Sequence, residues 1–292
     1  MKENCKKCDI NQMKKVCSIL SLGNDKEKEL KERVEHYLEN VDMNKCNPEV
    51  MGEIWKVMSQ TVSNFNPYVK IKEYYNNEVM KLMPNIVQII SNEKNRLKTA
   101  LKIAICGNLI DFAAKHEFNM DILLKNIEDV SCKKLAIDDS REMFKKLKQS
   151  KNLLYLGDNC GEIVLDKVFI DEIKKNNPKL KVFYGVRGKP IVNDVTLDDA
   201  EMVHMNESAE VISNGDGALG TVLKNCSEEF NKIFNDSDIV ICKGQGNYES
   251  LLTSNKEHLY FLFMAKCENI TSPLGIDKLS IVCMKNRPGL KW

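Results

Sequence analysis

LLYLGDNCGE, residues Leu153–Glu162, is the stretch from which the rest of the chain can be read. Four apolar residues run without interruption, as in a strand buried on both faces. Then come a glycine, an acid, an amide and a second glycine, just where the amphipathic segment Glu162–Lys175 begins. An Asp-Asn pair at a strand-to-helix junction is either a turn device or a place where something charged is held.

Outward from this stretch the rhythm repeats. Short apolar runs follow at Val182–Val186, Glu210–Ile212, Ile239–Cys242, Tyr260–Met264 and Leu279–Met284, most of them separated by helix-length segments such as Leu219–Phe234. Strands alternating with helices predict βαβ units in a three-layer α/β/α, mostly parallel, Rossmann-like sheet. The first half reads differently. Residues 1–150 contain only Gly23, Gly52 and Gly107, and the other eleven glycines follow. Asn47-Pro48 and Asn66-Pro67 resemble N-caps with a first-turn proline. Helical spacing marks Val50, Ile54, Val57 and Thr61, then Leu97, Leu101, Ala104, Ile105 and Leu109. The expected division is a mainly helical subdomain over residues 1–148, covering the active site, and an α/β subdomain over residues 149–292.

With 43% hydrophobic and 29% charged residues in 292, the composition is that of an ordinary globular protein with a sizeable core. A formal net charge of +1 gives no reason to expect a nucleic-acid partner. No apolar run approaches the roughly 20 residues of a membrane span, and MKENCKKCDINQ carries no signal core, so a cytoplasmic protein without a membrane partner is expected. The oligomeric state is not legible. Eleven cysteines, odd in number and several inside strand-like runs, fit reduced packed thiols better than a disulfide framework.

In an open parallel sheet, ligands bind beyond the carboxyl ends of the strands. Four successive strand ends here carry polar clusters: Gly157-Asp158-Asn159; Arg187, Lys189, Asn193 and Asp194; Asn214, Gly215 and Asp216; and Lys243, Gly244, Gly246, Asn247 and Glu249. Each alone reads as a cap or a loop. Together they point to a site. Asp and Asn oxygens suit hard divalent cations, glycine turns offer backbone N–H groups to an anion, and Lys243 offers a point charge for phosphate. The combination suggests metal-assisted chemistry on a phosphorylated small molecule. Rival chemistries lack their motifs. There is no Asp-x-Asp after the first predicted strand, no G-x-G-x-x-G and no P-loop. None of His36, His116, His204 and His258 stands in a motif that would pair with Cys160 as a nucleophile.

LGDNCGEIVLDK, VRGKPIVNDVT, SNGDGALG and DIVICKGQGNYESL occur in an order that resembles the damage-control phosphatases, a family of metal-dependent phosphatases. NPYVKIKEYYNN is similar to the family's Asp-Pro-Tyr…Lys…Asn stretch, with Asn66 in place of the acid. AICGNLIDFAAK resembles its Gly-Asn-x-x-Asp segment, and Cys5-x-x-Cys8 its shorter, prokaryotic-type branch. The resemblance implies a metal site and catalytic centre built from Asp158, Asn159 and Asp194. It also implies phosphate or substrate contacts from Lys243, Gly244, Asn193, Asn108 and Asp111, the last two three residues apart on one helix face. Mg²⁺ or Mn²⁺ is the implied cofactor, with Co²⁺ or Ni²⁺ as further candidates, and a small phosphorylated metabolite is the implied partner. Whether an aspartate or a metal-bound water attacks phosphorus is open; the use of Asp158 as a ligand favours water. Cys5 and Cys8 form half of a zinc-type site that Cys17 or Cys106 could complete. Two alternatives stay open: a carboxyl methyltransferase using S-adenosylmethionine, against which the missing acid after the second predicted strand argues, and a non-catalytic phosphometabolite-binding protein.

Overall fold

The computed structural model describes residues 1–107, 125, 127, 129 and 133–287. The opening stretch forms β2 (Asn152–Leu156), and the other apolar runs form β3 (Lys181–Val186), β4 (Glu210–Ser213), β5 (Ile239–Lys243), β6 (Leu259–Met264) and β7 (Ile281–Lys285). The two-residue β1 (Ile137–Asp138) completes the sheet, too short to show a period in the sequence. Among the described residues the order is β1-β7-β6-β5-β2-β3-β4. Every pairing is parallel except that of β6 with β7.

β2 sits in the middle. Leu153 faces Val182 on one neighbour and Ile239 on the other. From β2 the chain winds outward through β3 and β4, then returns to lay β5 and β6 on the opposite side. The crevice between the carboxyl ends of β2 and β5 is therefore the point where strand order reverses, the usual ligand position in such sheets.

Alternation along the strands divides the core. Leu153, Tyr155, Ile239 and Ile241 join one apolar layer with α4 (Val69–Asn92), α5 (Arg96–Cys106), α6 (Ser140–Gln149) and α7 (Glu162–Asn176). Leu154, Leu156, Val240 and Cys242 join the opposite layer with α9 (Glu228–Asp236), α10 (Gly244–Leu251) and α11 (Glu268–Leu274). A third cluster holds α1 (Cys5–Ile19), α2 (Asn24–Glu39) and α3 (Asn47–Thr61) to one another and to Ile191 of the β3–α8 loop, where α8 spans Leu197–Met202. The N-terminal sequence thus serves two purposes: α1–α3 make a helical layer of their own, while α4–α6 cover the sheet.

Several expected boundaries move, each for a local reason. Cys46, not Asn47, is the N-cap of α3, and the Asn47 amide instead donates to Asp9 Oδ1 at 3.3 Å. Tyr68, not Asn66, precedes α4. Thr196 caps α8 in a capping box with Asp199, so Asn193 and Asp194 are free of that duty. The helix expected over Leu219–Phe234 starts only after Ser227, whose Oγ accepts from the Phe230 N–H at 3.2 Å. Upstream, Gly220 holds a positive φ of 104° that a helix cannot continue through.

Candidate active site

The turn after β2 and the loop after β3 are joined through their backbones. Val195 N–H donates to the Asp158 carbonyl at 2.9 Å, and Cys160 N–H to the Asn193 carbonyl at 2.9 Å. Asn159 and Asp194 form an isolated antiparallel bridge. These bonds bring Asp158, Asn159 and Asp194 to one place from crossovers 35 residues apart in the chain. Gly161, at a φ of 70°, turns the chain into α7, and its N–H donates at 2.6 Å to Oδ1 of the buried Asn76 on α4. Asn76 Nδ2 in turn donates to Asp199 Oδ1 at 3.2 Å, and Lys72 pairs with Asp199 at 2.5 Å. The Lys and Asn of NPYVKIKEYYNN therefore brace the site from behind.

Gly244 opens α10 on the other side of the crevice with a φ of 77°. A Cβ there would lie 1.9 Å from Asp158 Oδ2. Glycine is required twice over, by the backbone angle and by the carboxylate lying against it. Its role is to leave room for Asp158.

Charge is concentrated beneath this surface. Arg187, 1% exposed, donates through Nε to Asp194 Oδ2 at 2.7 Å, and its Nη2 lies 4.0 Å from Asp158 Oδ1. Lys243 is fully buried. Its ammonium donates to Glu162 Oε1 and Asp166 Oδ1, each at 2.6 Å, and to the Ala104 carbonyl at 2.8 Å. Tyr155 and Tyr184 add hydroxyl bonds to Asp166 at 2.7 and 3.0 Å. Four carboxylates (Asp158, Glu162, Asp166 and Asp194) meet two cations, which leaves two negative charges in excess when all are ionised. Crowding and burial both disfavour the charged forms. Burial, then the neighbouring Asp194 and Glu162, push the Asp158 carboxyl well above its usual range. Burial also raises Asp194, against the pull of Arg187, and holds Asp166 at about 6 even beside Lys243.

The expectation that Lys243 meets phosphate is corrected by this geometry. An ammonium has three donors, and all three are spent on protein acceptors. Lys243 faces the α5/α7 side of the sheet because it shares strand parity with Ile239 and Ile241. The cation that does line the cavity beside Asp158, Asn159, Asn193 and Asp194 is Lys266, an exposed residue just beyond β6. The cavity has a volume of about 280 Å³. Lys266 is the cavity residue that sequence reasoning missed, and Arg187, named there only as one of the strand-end residues, proves to be the partner of Asp194. Asn108 and Asp111 lie outside the described residues.

Among the described residues neither Cys17 nor Cys106 completes the zinc-type pairing of Cys5 and Cys8. Cys17 is buried with its thiol on Met13 Sδ at 3.5 Å, and Cys106 is buried in α5. Burial raises the Cys5 and Cys8 thiols, which opposes the thiolate form a metal needs. Among the described residues no group of three or more His, Cys, Asp or Glu side chains is disposed to hold an ion. The oxygen donors that the crevice could offer are two carboxylates and one amide, a set that would suit a hard cation whose remaining positions are filled by solvent and substrate. With all four carboxylates ionised, their excess of two negative charges would match the charge of such an ion. Asn159 Nδ2 is committed to Asp158 Oδ2 at 2.6 Å and Glu162 Oε2 at 3.2 Å, so its amide oxygen is the atom it can offer.

The model of the damage-control phosphatase ARMT1-like domain matches residues 1–282. The chain belongs to the damage-control phosphatase family. A damage-control phosphatase of Pyrococcus horikoshii is 33% identical over 241 residues, 82% of each chain. One of Archaeoglobus fulgidus is 30% identical over 246 residues, again 82% of each. An uncharacterized protein of Methanocaldococcus jannaschii is 33% identical over 293 residues, 98% of this chain and 95% of its own. The crystal structure of a DUF89 family protein from Pyrococcus horikoshii superposes with a TM-score of 0.88 at 29% identity, covering 98% of this chain and 99% of that one. Membership supports a phosphatase role. Among the described residues no helix of this family member is long and apolar enough to cross a membrane.

Proposed function

We propose that the protein is a divalent-metal-dependent phosphatase acting on phosphate monoesters of small metabolites. One observation carries this reading: Asp158, Asn159 and Asp194 line one small cavity, over a buried cluster in which four carboxylates share two cations. Asp158, Asp194 and the Asn159 oxygen would hold the ion, Mg²⁺ or Mn²⁺ by the hardness of the donors. When bound, such an ion supplies charge neutralisation at phosphoryl oxygens and acidifies water. The chain's own residues do the positioning. Arg187 fixes the orientation of Asp194, Gly244 gives Asp158 its place, and Lys266 lines the cavity where it can meet a phosphoryl oxygen. The volume of about 280 Å³ suits a substrate of only a few carbons.

The test is a panel of phosphate esters assayed with Mg²⁺, Mn²⁺, Co²⁺ and Ni²⁺, with chelator as control, on the wild type and Asp158→Ala. Metal-dependent phosphate release is expected from the wild type. The variant should keep its circular dichroism spectrum and lose turnover by at least a hundredfold, together with any metal-induced rise in melting temperature. Undiminished turnover in Asp158→Ala would defeat the assignment.

A further inference from the structure

The cavity at the crevice has a second wall that the phosphatase chemistry leaves unused. Asp9 and Asn47 line it, one from α1 and the other from the first turn of α3. Asp9 is fully buried. Its Oδ1 accepts from Asn47 Nδ2 at 3.3 Å, but its Oδ2 has no hydrogen-bond partner, and neither has Asn47 Oδ1. Two adjacent buried acceptors without donors are a deficit that folded proteins ordinarily fill.

The surrounding charges do not fill it. Cys5 and Cys8 flank Asp9 on its own helix, and Tyr37 of α2 and Glu249 of α10 feel its charge; the N-terminal ammonium and Lys2 act on Glu249. Among the described residues Asp9 forms no ion pair. Burial lifts the carboxyls of Asp9 and Glu249 each to about 7, and the charge of Asp9 contributes to the shift on Glu249. The cavity is thus polarised: among the described residues Lys266 is its one lining cation, and the carboxyl of Asp9 lies on the opposite wall with no cation paired to it.

We propose that Asp9, with the amide oxygen of Asn47, forms a subsite for a primary ammonium group on the alcohol portion of the substrate, so that the preferred esters are aminated phosphomonoesters. A hydroxyl brings one donor and no charge. An ammonium brings three donors and the positive charge that Asp9 lacks. A ligand with a phosphate at one end and an amine a few carbons away matches the cavity in both charge and length. This inference rests on the phosphatase reading for the location of the phosphate end.

Calorimetric titration with non-hydrolysable ω-aminoalkyl phosphonates of two to four carbons, against their ω-hydroxyalkyl counterparts and in the presence of Mn²⁺, tests it without turnover. The wild type should bind at least one amine roughly tenfold or more tighter than its hydroxyl partner, the gain expected of a charge-assisted pair. Asp9→Asn should bring the two within about threefold and leave hydroxyalkyl affinity unchanged. Equal wild-type affinities at every chain length, or no binding of any amine, overturn the subsite without recourse to a variant. Equal weakening of both series in Asp9→Asn assigns Asp9 a structural role and overturns it too. Hydrolysis of p-nitrophenyl phosphate, measured in parallel, tests the phosphatase reading separately. Turnover without amine preference sinks the subsite alone, and amine preference without turnover sinks the phosphatase reading alone.

Discussion

Gly244→Ala tests the architecture of the site through a single methyl group. The added Cβ would sit 1.9 Å from Asp158 Oδ2, 2.2 Å from Cγ and 2.6 Å from Oδ1, where ordinary contact begins at 3.4 Å. The whole carboxylate must move. Gly275 supplies the control, because it has a similar φ of 64° and nothing within 4 Å of its would-be Cβ. Alanine at Gly275 bears only the left-handed backbone penalty, about 1–2 kcal/mol. Alanine at Gly244 adds overpacking, about 1–3 kcal/mol more. Urea denaturation of both variants measures the difference. The decisive assay is the metal-induced thermal shift. An ion at a hundred times its Kd adds about 2.7 kcal/mol to the wild type and to Gly275→Ala, and should add almost nothing to Gly244→Ala, whose Asp158 is displaced. If Gly244→Ala keeps both its metal shift and turnover within twofold of Gly275→Ala, Asp158 is not the ligand it is taken to be.

Lys243→Met should destabilise the fold by about 3–5 kcal/mol, because Glu162 and Asp166 lose their buried counter-ion; a melting temperature within two or three degrees of the wild type would contradict the charge ledger. Lys266→Ala should leave the melting temperature unchanged while weakening competitive inhibition by inorganic phosphate about tenfold, and an unaltered inhibition constant would remove Lys266 from the phosphate end. Asp9 gives a pH prediction whose sign follows from burial. A carboxyl raised to about 7 in the folded state, against its ordinary value near 4, binds more protons folded than unfolded across that window. Its contribution is complete below pH 4 and is lost as pH climbs towards 7, by up to about 4 kcal/mol. Asp9→Asn should therefore gain stability relative to the wild type over the same range, and parallel pH profiles would refute the burial argument.

The strands and their ends were legible because apolar runs and polar junctions are local features. Asp158 and Asp194 each follow such a run, and the bridge between their loops brings the two predicted acids together. Direction was harder to read. Lys243 stands at a strand end like the acids, but its side chain goes where strand parity sends it, beneath the sheet with Ile239 and Ile241. The signal that could have revealed this is the pair Glu162 and Asp166, two acids four residues apart on a helix whose buried positions are mostly apolar. The helix expected over Leu219–Phe234 had the right composition, but the positive φ at Gly220 and the Ser227 cap are conformational facts that amphipathicity does not carry. Lys266 lies beyond an apolar strand with no distinguishing neighbour. Asp9 is one charged residue in a charged N-terminus, and only its burial sets it apart.

The backbone bridge between Asn159 and Asp194 has a further consequence on the proposed reading. With their loops tied together by main-chain bonds, the carboxylates of Asp158 and Asp194 cannot drift apart independently, and the gap between them acts as a gauge. Mg²⁺ wants oxygens at about 2.1 Å and Ca²⁺ at about 2.3–2.6 Å, so the larger ion would press the two carboxylates apart against the bonds that join their loops. Discrimination by radius would then be set by the peptide chain as much as by the side chains that touch the ion.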